Sequence, residues 1–195
     1  MLKRKRQIMG ISIILILLIG SLVGYTVWKN LSAREENLDT EELISDRNNE
    51  RIEQANQNGT PGIVVSSAKA KPGDTVDIGV SLVHNPGILG MSFTLSYDEN
   101  VLKLVKAENG KAVSEVLNMS KSNDLGNGCI FLWDGEKIEE DQIQDGEILN
   151  LEFQVLRSAP AGKSPLKLTS DEGGVVDNNL EIVSLTIDDG FISVE

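Results

Sequence analysis

Residues 75–82 read TVDIGVSL, with an apolar residue at every second position from Val76 to Leu82. Successive side chains of a β-strand point to opposite faces, so this spacing puts the apolar side chains on one face and the polar ones on the other. The segments MSFTLSY at 91–97 and LNLEFQV at 149–155 repeat the pattern. These three segments predict half-buried strands, and they decide the fold class.

Shorter apolar segments predict further strands. We expect them at 63–68, 101–107, 128–134, 164–169 and 180–194, the last divided by Asp188-Asp189-Gly190. Turn-forming pairs such as Asn109-Gly110 and Asp145-Gly146 separate these segments. The helical candidate here, 111–118, is short. About eight or nine short strands without a long helix between them predict an antiparallel β-sandwich.

The N-terminal segment carries a different signal. Residues 8–28 contain no charged side chain, and a helix of this length would cross the ~30 Å hydrocarbon layer of a bilayer. Residues 3–6 are all Lys or Arg, and such residues stay on the cytoplasmic side. We expect a single-pass plasma-membrane protein with a cytoplasmic N-terminus and an extracellular C-terminal domain. A cleaved signal peptide is the alternative, and it would export the same domain.

The predicted organisation has four parts. They are a cytoplasmic basic tail at 1–7, a transmembrane signal anchor at 8–28, a polar, partly helical spacer at 29–60 and the β-sandwich domain at 61–195. The spacer is too polar to bury a core of its own, but 40–55 contains no Gly or Pro, which predicts one solvated helix. We favour a stalk; a coiled-coil dimer is the alternative.

The composition excludes several functions. The net charge of −12 disfavours nucleic acid as a partner, because the chain would repel phosphate groups. One Cys and one His remove disulfide frameworks and most metal sites. Aromatic residues make up only 4% of the chain, which leaves no visible sugar-binding cleft for a glycosidase. We therefore expect a binding domain that is not an enzyme and carries no cofactor.

Two other functions remain open. The domain could belong to a surface or secretion apparatus and assemble with itself or with neighbours. It could also be a carbohydrate-binding module, which needs a row of exposed aromatic side chains. Tyr97 and Trp133 are the Tyr and Trp of the domain, and the alternation predicts that both face inward.

An ordered series of motifs resembles the cohesin family, the receptor modules of cellulosomes. The series runs KPGDTV at 71–76, GMSFTLSYD at 90–98, IFLW at 130–133, DGEIL at 145–149, GGVVDNNL at 173–180 and DGFISV at 189–194. The resemblance covers 62–195 and implies a jelly-roll sandwich of about nine strands. It also implies that one sheet face binds a dockerin, a small helical module of another protein that carries Ca²⁺. The expected partner is thus a dockerin-bearing secreted protein, which the domain tethers at the cell surface. We expect the outer domain to be monomeric and the Ca²⁺ to belong to the dockerin.

The resemblance also implies which residues contact the partner. They are Ser92, Thr94 and Ser96 of one strand, Ile130, Leu132 and Asp134 of a second with the adjoining Gly135, and Asn178, Asn179 and Leu180 of a third. The alternation gives independent support for part of this set. If Phe131 and Trp133 face the core, Ile130 and Leu132 must face outward, and solvent-facing aliphatic residues in mid-strand indicate a contact surface. The alternative is a strand covered on both sides by the domain's own loops.

Overall fold

A computed structural model describes residues 42–195, of which Ile44–Glu195 form one compact unit. The described residues include no helix long and apolar enough to span a membrane. The predicted membrane segment at 8–28 and the basic tail at 1–7 lie outside the described residues.

One α-helix precedes the strands. Residues 42–57, named α1, are helical, where the sequence predicts a helix over 40–55. From Ile44 onward this helix belongs to the same compact unit as the strands. The part of the spacer that the structure describes therefore packs with the β domain.

The rest of the unit is almost entirely β-structure, which confirms the predicted all-β class. The twelve strands are β1 Gly62–Val65, β2 Ala68–Ala70, β3 Thr75–Val83, β4 Ile88–Ser96, β5 Leu102–Asn109, β6 Asn118–Lys121, β7 Cys129–Asp134, β8 Gly146–Val155, β9 Gly162–Thr169, β10 Val175–Asp177, β11 Thr186–Asp188 and β12 Gly190–Val194. A short 3₁₀ turn, Glu140–Gln142, lies between β7 and β8.

The strands form two sheets. The five-stranded sheet has the order β11-β1-β3-β8-β5, and the seven-stranded sheet has the order β2-β12-β9-β4-β7-β6, with β10 also paired to β4. The pairs are antiparallel except β1 with β11 and β2 with β12. The exceptions arise because the first and last segments of the domain run in the same direction and both pass from one sheet to the other.

The core lies between the inward faces of the two sheets. Met91, Phe93 and Leu95 of β4 are buried, while the residues between them are half-buried on the opposite face. Phe93 packs edge-on against Trp133, with the ring centres 6.2 Å apart. The indole N–H of Trp133 donates to the Asn109 side-chain oxygen at 2.8 Å, so the one polar atom of this ring is satisfied. The prediction that Tyr97 and Trp133 face inward is confirmed.

The strand count exceeds the predicted nine for local reasons. The expected strand at 63–68 becomes β1 and β2, because the chain changes sheet at 66–67. The expected division of 180–194 at Asp189 is confirmed, but 180–185 lies outside any strand. β6 and β10, of four and three residues, lie outside the predicted strands.

The short helical candidate at 111–118 does not form a helix. These residues form hydrogen-bonded turns, in which the Ser114 N–H donates to Gly110 O at 3.1 Å and the Leu117 N–H donates to Val113 O at 2.8 Å. So short a segment does not sustain a helix by itself, and β6 begins at Asn118.

Candidate partner-binding site

The outward surface of β10, β4, β7 and β6 forms the candidate site, which we call the front face. Its outward residues are Val176 of β10, Gly90, Ser92, Thr94 and Ser96 of β4, Ile130, Leu132 and Asp134 of β7, and Asn118 and Ser120 of β6. The strand register sets these residues in rows. Ser92 lies opposite Leu132, which lies opposite Ser120.

The apolar centre of the front face is on β7. Phe131 and Trp133 are fully buried, so the alternation of the strand turns Ile130 and Leu132 to solvent, where they are 47% and 45% exposed. The outward orientation of both residues is confirmed. Because nearly half of each side chain is open, the alternative of a strand covered on both sides by its own loops does not hold.

The side chains of the neighbouring strands leave this apolar centre open to solvent. Ser92 and Thr94 on β4 and Ser120 on β6 have short side chains, so they do not shield the longer aliphatic residues between them. The main chain of Ile130 exchanges hydrogen bonds with Ser122, whose side-chain oxygen accepts at 2.9 Å and whose N–H donates at 2.9 Å. Together with the β6–β7 pairing, Ser122, which directly follows β6, holds β7 in place on the side away from β4.

The loop after β10 brings Leu180 to the end of the sheet where Asp134 and Gly135 lie. Asp177 pairs with Ile88 at the start of β4, and its side chain accepts from the N–H groups of Asn179 at 2.8 Å and Glu181 at 3.0 Å. These bonds, the one from Glu181 first, lower the pKa of the Asp177 carboxyl. The carboxylate thereby fixes a tight turn with Leu180 at its tip.

Leu180 is the most exposed apolar residue of this turn. Its φ is +63°, in the left-handed region that residues with a Cβ rarely adopt, and its side chain is 72% exposed. Ile182 follows on the return segment, bridged to Val176, and is 66% exposed. Sequence reasoning did not single out Ile182, because the turn that exposes it depends on the Asp177 side chain.

The other predicted contact residues near Leu180, which are Asn178, Asn179 and Gly135, have contacts within the domain. Asn178 is on the same turn, but its side-chain amide bonds to both the N–H and the carbonyl oxygen of the buried Ile138. The Asn179 side chain reaches only the Asp177 carboxylate, at 3.5 Å. A Cβ on Gly135 would lie 2.7 Å from the Leu117 side chain and 3.0 Å from the carbonyl oxygen of Val116, so a larger residue there would force its neighbours to shift.

The described residues contain neither a cluster of metal-binding side chains nor a readily ionised thiol. No group of three or more His, Cys, Asp or Glu among them could hold a metal ion. Burial raises the pKa of the Cys129 thiol to about 11, so the thiol remains protonated and weakly nucleophilic near neutral pH. An exposed apolar strand on a packed β-sandwich is instead typical of a protein-binding module.

Comparison with known proteins gives the family. Residues 61–194 match the family model for the cohesin domain, and the chain belongs to the cohesin family. Cohesins are protein-binding modules and not a family of enzymes. α1 lies upstream of the matched residues.

Relatives with curated descriptions include two proteins of Acetivibrio thermocellus. The chain is 31% identical over 139 residues to cellulosomal-scaffolding protein A, a match that covers 67% of this chain and 7% of that protein. It is 26% identical over 145 residues to the cellulosome-anchoring protein, covering 71% of this chain and 32% of that protein. The chain thus corresponds to a small part of each relative.

Solved structures show the same fold. A type I cohesin–dockerin complex from Clostridium thermocellum contains a chain with a TM-score of 0.59 and 23% identity, covering 70% of this chain and 99% of that one. A non-cellulosomal cohesin from Archaeoglobus fulgidus has a TM-score of 0.58 and 18% identity, covering 70% of this chain and 91% of that one.

Proposed function

We propose that the protein is a cell-surface receptor that tethers a dockerin-bearing extracellular protein through the front face. The observation that carries the proposal is the pair Ile130 and Leu132, which stand nearly half exposed in the middle of a strand of a cohesin domain. A soluble domain has no structural need for two such residues side by side, whereas a docking surface does. The solved cohesin–dockerin complex with the same fold adds support.

Binding by this face needs no chemistry beyond packing and hydrogen bonding. Ile130, Leu132 and Leu180 supply apolar anchors, and the hydroxyl groups of β4 and β6 supply polar contacts around them. A specific interface of this kind buries about 1,200–2,000 Å² in total, most of its energy coming from a few central residues. The Ca²⁺ requirement belongs to the dockerin, because dockerins are Ca²⁺-loaded modules.

The cell-surface part of the proposal rests on the sequence. Residues 8–28 are long enough to cross a bilayer, and the basic residues before them favour a cytoplasmic N-terminus. In the proposed arrangement the anchor is uncleaved and the cohesin domain, monomeric by itself, lies outside the cell. Protease treatment of intact host cells tests this, since it should remove the cohesin domain and leave an N-terminal fragment in the membrane.

The receptor function is tested by capture. The full chain is immobilised and incubated with the secreted proteins of its host, once with Ca²⁺ and once with a chelator. Retention of dockerin-bearing proteins only in the presence of Ca²⁺ supports the proposal, and retention that a chelator leaves unchanged contradicts it. Concentration-dependent self-association without any dockerin partner would favour an assembly component instead.

The carbohydrate-binding alternative receives no support from the described residues. The large apolar side chains exposed there are all aliphatic, and Tyr97 and Trp133 are buried. A flat sugar-binding surface needs aromatic rings in the open.

A further inference from the structure

α1 buries one face against the β domain. Its half-buried residues have the spacing of a single helix face, and the other residues of the helix are exposed. They are Ile44, Asn48, Arg51, Ile52 and Ala55. A helix that only separated a domain from a membrane would have solvent on all sides, so this pattern indicates docking.

The helix docks where two segments change sheet together. β1 leads into β2 at 66–67, and β11 leads into β12 at Asp189, in each case from the five-stranded to the seven-stranded sheet. The two crossovers touch, because a Cβ on Gly190 would lie only 2.1 Å from the carbonyl oxygen of Ser66. At a crossover the strands leave their ladders, and backbone groups there need partners from elsewhere.

Arg51 supplies partners to both crossovers. One terminal nitrogen, Nη1, donates to the carbonyl oxygen of Val65 at 2.8 Å. The other, Nη2, donates to the carbonyl oxygens of Asp188 at 3.2 Å and Asp189 at 2.9 Å. Nε forms an ion pair with the Asp188 carboxylate at 2.8 Å. A planar guanidinium can make this set of bonds in one orientation, which a lysine cannot.

Asn48 lies one helical turn before Arg51 and forms a second set of hydrogen bonds with the first crossover. Its side-chain oxygen accepts from the N–H of Ser67 at 2.9 Å, and its side-chain nitrogen donates to the carbonyl oxygen of Ser67 at 2.9 Å. The hydroxyl oxygen of the buried Ser67 accepts from the N–H of Phe191 at 3.2 Å, which ties the first crossover to the second.

We propose that α1 is a clamp that holds the two crossovers together, and that the folded unit of this protein begins near residue 44, upstream of the cohesin match at 61. The carbonyl bonds of Arg51 carry the clamp. The Arg51 side chain is only 18% exposed, whereas the Asp188 side chain is 56% exposed, and an ion pair with so open a partner contributes little.

The test compares four variants of the full chain in mild detergent. Arg51→Ala removes the clamp, and Arg51→Lys keeps the charge without the planar donors. Asp188→Asn removes the charge of the ion-pair partner. Arg47→Ala, on the exposed side of the same helix, is the matched control for helix propensity and loss of one positive charge. Thermal unfolding and hydrogen–deuterium exchange of 64–67 and 188–191 are measured for each.

The proposal expects a clear order of effects. Arg51→Ala should lower the unfolding temperature of the β domain by about 5 °C or more and speed exchange in both crossovers at least tenfold. Arg51→Lys should lie close to Arg51→Ala, while Asp188→Asn and Arg47→Ala should resemble the wild type. Equal behaviour of Arg51→Ala and Arg47→Ala, in both measurements, would overturn the proposal. So would faster exchange in α1 alone with the crossovers unchanged, because the helix would then dock without holding them.

Discussion

Leu132 lies directly opposite Ser92 in the antiparallel pair of β4 and β7, so a long aliphatic side chain stands beside a short hydroxyl on the solvent face of the sheet. Its strand neighbours Phe131 and Trp133 are fully buried on the other face. The side chain of Leu132 therefore contributes little to the core and is accessible to a partner.

Replacing Leu132 or Ile130 with Asp should weaken partner binding without unfolding the domain. We expect a loss of at least ~2 kcal/mol of binding free energy, which is about a 30-fold rise in Kd. Binding of each variant to a captured dockerin protein is measured by calorimetry. Val105→Asp is the matched control, because Val105 is a 39% exposed aliphatic residue on β5 of the other sheet. Equal Kd values for Leu132→Asp and Val105→Asp would contradict the assignment of the face.

Cys129 should make the domain less stable at alkaline pH. Burial raises the pKa of its thiol from 9.0 to about 11, so the unfolded chain loses this proton at a lower pH than the folded one does. The stability that the protonated Cys129 thiol contributes to the folded domain is fully present below pH 9. It is lost as the pH rises from about 9 to 11. Urea unfolding between pH 8 and 11 should show this decline, and Cys129→Ala should show a shallower one. An equal decline in both proteins would assign it to other groups, such as Tyr97, whose hydroxyl pKa burial also raises.

Asn178 should be important for stability, while the adjacent Asn179 should not. Asn178→Ala leaves the N–H and carbonyl oxygen of the buried Ile138 without their partner, which costs about 1–3 kcal/mol of unfolding free energy. Asn179→Ala loses a weak side-chain contact with Asp177 and should stay within about 0.5 kcal/mol of the wild type. Urea unfolding measures both. If Asn178→Ala is as stable as Asn179→Ala but binds the partner less well, Asn178 contacts the partner directly.

The sequence predicts which strand residues face the core better than it predicts the contacts of the loops and of α1. Alternation alone places Phe131 and Trp133 in the core and Ile130 and Leu132 outside, because a period of two leaves no other choice along a strand. Alternation cannot show that the Asn178 side chain forms hydrogen bonds with the main chain of Ile138. These residues are far apart in the chain, and only the folded loops bring them together. The docking of α1 is missed for a similar reason.

The docking of α1 depends on polar side chains, for which the sequence alone predicts exposure to solvent. Asn48 and Arg51 are two among many polar residues of the spacer, and no apolar stripe of the usual width marks the docked face. Only the positions of the backbone groups of the two crossovers, fixed by β1, β2, β11 and β12, give these side chains their partners.

Leu180 offers a way to separate binding from stability at a single position. Its left-handed backbone costs about 1 kcal/mol with a Cβ present, and glycine would remove that strain while adding a similar entropy to the unfolded chain. Leu180→Gly should therefore leave the unfolding free energy within about 0.5 kcal/mol of the wild type. Because the exposed side chain is lost, partner affinity should fall about tenfold or more if Leu180 is an apolar anchor.

Ile182→Ala is the matched comparison for Leu180→Gly, since it truncates an equally open aliphatic residue two positions away without changing a left-handed backbone. Urea unfolding and calorimetric titration with the dockerin protein are carried out on both variants. A fall in affinity for Leu180→Gly at unchanged stability places the partner over the tip of the turn after β10. Unchanged affinity in both variants would confine the interface to β4, β7 and β6, and the turn would then serve only to hold Ile138 through Asn178.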